Sequence, residues 1–135
     1  MLANIFSADM LAVDTNVLVR LLARDDIKQA RKADEVVAKG AWISHLVLAE
    51  AVWVLDAVYA RTPAQLIAAL ELLLVHESLV VQDADVVSSA LAHFRAKPAL
   101  GFSDCLVLEI ARKAGHLPLV TFDKALAKLS GAQKL

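Results

Sequence analysis

The chain has 135 residues and a mass of 14.5 kDa, the size of one domain with room for a real core. Hydrophobic residues make up 59% and mean hydropathy is +0.58, yet the longest stretch free of Asp, Glu, Lys and Arg is the ten residues Gly40 to Ala49. That is half the roughly 20 apolar residues a membrane span needs, so the apolar surplus points to a large core or to subunit contacts. Net charge is −1, which excludes a general polycation.

Charge is unevenly spread. Residues 40–94 hold one basic group, Arg61, against six acids; residues 95–135 hold seven basic groups against three; residues 1–39 balance at six each. The six early cations, Arg20, Arg24, Lys28, Arg31, Lys32 and Lys39, form a local basic cluster. Such a cluster can contact phosphates without a basic pI. Cys105 is the only cysteine, which leaves no intrachain disulfide and no cysteine-rich metal site. No signal-peptide pattern opens the chain, so a reducing cytoplasm is the expected compartment.

In chain order, residues 1–9 read as an N-terminal extension and 10–135 as a single domain. Leu11–Asp14 is a short apolar strand that runs straight into an acid, with apolar residues resuming at Val17. An acid at the edge of a core costs several kcal/mol unless something compensates it. Helices are expected at Val17–Ala23 and at Ile27–Ala38, the latter ended by Gly40. Ala41–Ser44 is a second strand and Leu46–Tyr59 a strongly apolar helix. "TPAQLIAALELLL" starts a further helix, with Thr62 as N-cap, Pro63 in the first turn and Gln65 completing a capping box. Leu79–Gln82 is a third strand, and Asp83 caps a helix to about Phe94. A loop at Pro98–Gly101 leads to a helix at Ser103–Ala114, stopped by Gly115. A fourth strand at Leu119–Phe122, a short helix at Lys124–Leu129 and a last edge strand near Gln133 finish the chain. Apolar strands separated by helices imply an α/β fold around a mostly parallel sheet of four to five strands.

Sites in such sheets form beyond the carboxyl ends of the strands. Asp14 ends the first strand and Asp123 the fourth. Glu50 has Leu46, Val47, Trp53 and Val54 as its same-face helical neighbours, and Asp104 shares a stripe with Val107, Leu108 and Ala111. Both are therefore expected to be buried or cleft-lining, whereas Glu109, Arg112 and Lys113 read as a solvated charged face. Each acid also has a plain explanation as a helix cap or first-turn residue. Taken together, four acids with no cation placed to neutralise them suggest a divalent metal, for which carboxylate oxygens are suitable hard ligands. His45, His76, His93 and His116 lack the spacing of a helical zinc motif and read as surface or capping residues. Cys105 reads as a small buried hydrophobe.

"VDTNVLVR", the Glu50 of "LAEAVWVL", the Asp104 of "FSDCLVLEIAR" and the "VTFDKAL" around Asp123 resemble the four-acid pattern of PIN-domain nucleases, most closely the VapC toxins of type II toxin–antitoxin modules. The resemblance covers the chain from Met10 onward. It implies a three-layer α/β/α sandwich, Mg²⁺- or Mn²⁺-dependent endoribonuclease activity and inhibition by a cognate VapB antitoxin. By position, Asp14 and Asp104 resemble direct metal ligands, and Glu50 and Asp123 the acids that complete the site. Asn16, Ser103 and Thr121 match supporting polar positions. The apolar helices at 46–75 suggest a homodimer and a groove for an amphipathic antitoxin helix. Alternatives are a housekeeping PIN nuclease, a binding-only nucleic-acid module and a phosphatase-like domain, although a haloacid-dehalogenase-type phosphatase would want an acid where Asn16 stands.

Overall fold

The computed structural model describes residues 10–135; the N-terminal extension at 1–9 lies outside the described residues. The chain divides into two compact units, a first running to Ala84 and a second from Asp85 to Leu135.

The first unit carries strands β1 (Leu11–Ala12), β2 (Ala41–Ile43) and β3 (Leu79–Val81) and helices α1 (Thr15–Ala23), α2 (Ile27–Ala38), α3 (His45–Ala57) and α4 (Pro63–Val75). Its sheet is parallel in the order β1-β2-β3, with Leu11 opposite Ala41 and Ala41 opposite Leu79. Local chemistry sets most helix starts. The side chains of Asp14, Asp26, Ser44 and Thr62 accept from Val17, Gln29, Val47 and Gln65 respectively, and the Thr62–Gln65 capping box is complete. Each helix then buries one narrow stripe: Leu18 and Val19 on α1, Ala30, Ala33 and Val37 on α2, Leu48, Ala51 and Leu55 on α3, and Leu66, Leu70 and Leu73 on α4. On α2, α3 and α4 the spacings of three, four and seven are those of a single helical face.

The second unit holds α5 (Ala84–Ala96, whose first residue is the last of the first unit), α6 (Phe102–Ala114), β4 (Leu119–Thr121) and β5 (Ala132–Lys134), with 3₁₀ turns at Pro98–Leu100 and Leu126–Lys128. β4 and β5 pair in parallel, Val120 opposite Gln133. Phe94 and Phe102 meet edge to face with ring centroids 6.2 Å apart, joining α5 to α6. Gly115 ends α6 in the left-handed conformation expected of such a stop, φ 83°.

The α/β class and the parallel pairing agree with the sequence reading. Among the described residues, however, the five strands are hydrogen-bonded as a ladder of three and a ladder of two. The segment read as a buried first strand also differs. Leu11 and Ala12 are exposed on a sheet edge, and burial begins at Val13. Asp83, read as the cap of the helix that follows, stands in the left-handed region at φ 42°.

Candidate active site

In the first unit, Asp14 lies between β1 and α1 and is exposed. Its Oδ1 accepts the Val17 amide at 3.0 Å. The acid sits between two apolar runs because the chain turns outward there and needs a cap. Glu50 corrects the sequence reading more sharply. It is exposed, and so are two of the four apolar neighbours thought to ring it, Leu46 at 68% and Trp53 at 66%. The Leu48–Ala51–Leu55 face is the one that packs, which leaves Glu50 on the open side of α3. Thr15 ties the two acids together: its Oγ1 donates to Glu50 Oε2 at 2.8 Å from the residue directly after Asp14. Thr15 is not among the supporting polar positions read from the sequence, which are Asn16, Ser103 and Thr121. Asn16 joins Asp14, Arg20 and Lys32 on the wall of a cleft of about 360 Å³ between α1 and α2.

In the second unit, Asp104 is half-buried in the first turn of α6 and makes no hydrogen bond or ion pair among the described residues. Burial, and then the neighbouring charge of Asp123, pushes its carboxyl above the ordinary range. Asp123 is exposed and also serves as a cap. Its Oδ1 accepts from the Ala125 and Leu126 amides at 2.8 and 2.9 Å, while its own amide donates to Thr121 Oγ1 at 3.0 Å. Thr121 thus orients Asp123, whereas Ser103 is simply exposed beside Asp104.

Two further sequence readings are overturned here. Glu109 is 6% exposed, on the packed face of α6, and does not belong to a solvated stripe. Its carboxylate accepts from Arg112 Nε at 3.2 Å to both oxygens and lies 3.1 Å from His93 Nε2 on α5. His93 is therefore a partner to a buried acid and not a surface residue. Arg112 also donates to the Ser130 carbonyl, and its guanidinium occupies the space a Cβ would need at Gly131, 2.9 Å away. A buried acid held by two nitrogen donors is a structural clasp, distinct in kind from the unpartnered Asp104.

Among the described residues, no three His, Cys, Asp or Glu side chains gather into a ready metal-holding group. Mg²⁺ commonly takes only one or two carboxylates and keeps several waters, so a pair of acids suits it. Asp104 and Asp123 each leave carboxylate oxygens open to such an ion or to its waters. Asp104 has both oxygens unclaimed, and Asp123 has its Oδ2 outside every hydrogen bond described for it.

The family model described as PIN domain matches residues 11–132. The chain belongs to the PIN domain family. PIN domains are generally nucleases, hydrolases of phosphodiester bonds, and typically use divalent metals. The match spans all four acids singled out in the sequence, from Asp14 to Asp123. A comparison of this PIN domain with curated proteins gave no match. Among its described residues no helix is long and apolar enough to cross a membrane.

Proposed function

We propose that this PIN domain is a metal-dependent endoribonuclease, the toxin component of a VapBC-like type II toxin–antitoxin module. Its catalytic acids are Asp14, Glu50, Asp104 and Asp123, with Asp14 and Asp104 as the direct ligands of Mg²⁺ or Mn²⁺. The observation that carries the reading is Asp104: a half-buried carboxylate with no protein partner, held above its ordinary pKa by burial and by Asp123. A structural acid in such a place acquires a cation or a donor, as Glu109 does. A divalent ion bound there would lower the pKa of its water and neutralise charge building on the phosphate during hydrolysis.

The chain's own groups hold the remaining parts in place. Thr15 fixes the Glu50 carboxylate, and Thr121 fixes the backbone that presents Asp123. Asn16 and Ser103 supply exposed polar groups beside Asp14 and Asp104. Exposed apolar residues on α3, at its C-cap and on α4, namely Trp53, Val58, Leu72 and Val75, support a homodimer and an apolar groove for an antitoxin helix.

The test is cleavage of a single-stranded RNA panel by the purified chain with Mg²⁺, with Mn²⁺ and with EDTA. Cleavage is expected only with metal, and Asp104→Asn is expected to abolish it without loss of fold. Undiminished cleavage in excess EDTA would refute the metal mechanism. Sedimentation at micromolar concentration checks the dimer, which a clean 14.5 kDa species would exclude.

A further inference from the structure

We propose that the cleft between α1 and α2 is a phosphate-binding subsite, in which Arg20 and Lys32 hold the backbone of single-stranded RNA beside Asp14. The inference rests on the nuclease reading above and adds a place where the substrate strand is gripped.

Four observations point there. The cleft, at about 360 Å³, falls within the range of roughly 300 to 1,000 Å³ usual for ligand sites. Its two walls each bring one cation, Arg20 from α1 and Lys32 from α2, and Asp14 is the one acid lining it. Arg20 is pre-set: its Nη1 donates to both Asp25 oxygens at 3.0 and 3.1 Å and to the Tyr59 hydroxyl at 3.1 Å. None of its hydrogen bonds uses Nη2, so that nitrogen keeps its donor capacity. Lys32 is exposed and has no acidic partner among the described residues, so of the two cations lining the cleft its charge is the one not already neutralised.

The neighbouring cation makes the contrast. Arg24 is committed to Asp34 through two bonds, at 2.9 and 2.8 Å, and does not line the cleft. Asn16 and Gln29 add side-chain amides to the cleft wall, able to donate to a phosphate or pair with a base edge. A phosphodiester carries one negative charge per nucleotide, and a lysine that contacts it acts as a point charge whose effect shows in the salt dependence.

The experiment is fluorescence anisotropy of a labelled single-stranded RNA in EDTA, where cleavage is stopped, across a salt series. Lys32→Glu should weaken binding at least tenfold, and Lys32→Ala should lower the slope of log K against log salt by about 0.7. Arg31→Glu makes the same charge change on the same helix but outside the cleft, and should weaken binding less than threefold. With Mg²⁺ restored, Lys32→Ala should raise KM with kcat kept. Equal weakening by Lys32→Glu and Arg31→Glu, or unchanged binding by Lys32→Glu in a protein that still cleaves, would overturn the subsite and leave the nuclease reading standing. Failure of the unaltered protein both to bind and to cleave RNA would overturn the two together.

Discussion

Replacing Asp104 by Asn separates a functional acid from a structural one, because it removes charge at nearly constant volume. Three effects set the outcome in metal-free protein. No hydrogen bond is lost, since Asp104 makes none among the described residues. A favourable interaction with the start of α6 is lost, typically about 0.3–1 kcal/mol for an acid in a first turn. Against that, the penalty of holding a charge in a half-buried position beside Asp123 disappears. Burial and the Asp123 charge both raise this carboxyl above its ordinary range, so the net change is expected to be stabilising. Its size is set at about 0.5–1 kcal/mol, the lower part of the range for relieving functional sites, because solvent screens part of it. For a chain of this length that is a Tm increase of about 2–5 °C.

The sign with pH follows. The folded-state pKa of Asp104 lies above the unfolded one, so folding favours its protonated form. The stability it contributes is complete below the ordinary carboxylate range and is lost as pH rises through the raised value. The advantage of Asp104→Asn should therefore be present at pH 7 and shrink as pH falls into the carboxylate range. Urea unfolding in EDTA at pH 7 and pH 4.5 measures both. Adding Mg²⁺ should then stabilise the unaltered protein and not the variant. A variant less stable than its parent by more than about 1 kcal/mol at pH 7 would show that Asp104 has a structural partner, and the reasoning would fail.

Glu109→Ala should behave in the opposite way. Removing one member of a buried pair costs about 3–5 kcal/mol, and because His93 and Arg112 are 28% and 37% exposed and can regain water, about 2–3 kcal/mol is expected by urea unfolding. A loss below about 1 kcal/mol would contradict the clasp. The Cys105 thiol, buried and pushed up to about 11, chiefly by that burial, should resist iodoacetamide at pH 8 in folded protein and react readily in urea. Stoichiometric labelling of the native chain within minutes would refute this.

Much of the fold is written locally. Helix α2 has the bounds read from its sequence, because Ile27, Ala30, Ala33 and Val37 repeat at helical spacing and Gly40 follows. Thr62, Pro63 and Gln65 act within one turn of each other, and Gly115 needs only its own backbone. The positions of Asp14 and Asp123 at strand ends were equally legible. Their hydrogen bonds showed only as possibilities, since a cap and a ligand look alike in sequence. Glu50 was misjudged because α3 is apolar almost all round, so periodicity does not name the buried face; the close approach of Ala51 does, and that is a tertiary fact. The burial of Glu109 is not legible locally because half its clasp, His93, comes from sixteen residues away on another helix. Thr15 and Glu50 meet across thirty-five residues, with no local signal to join them.

Asp14 has a divided duty: one oxygen closes the first turn of α1, while no bond described for it uses the other. Asparagine caps a helix about as well as aspartate, since its carbonyl oxygen accepts the same amide. A chain neutralised at this position keeps the turn that carries Asn16 and Val17 to the cleft wall, but lacks the charge assigned to hydrolysis. The arrangement thus supplies a bait. Asp14→Asn, cross-linked to RNA in a cell extract and sequenced, would retain the strand that the active chain destroys, and would turn an enzyme whose targets vanish into a record of them.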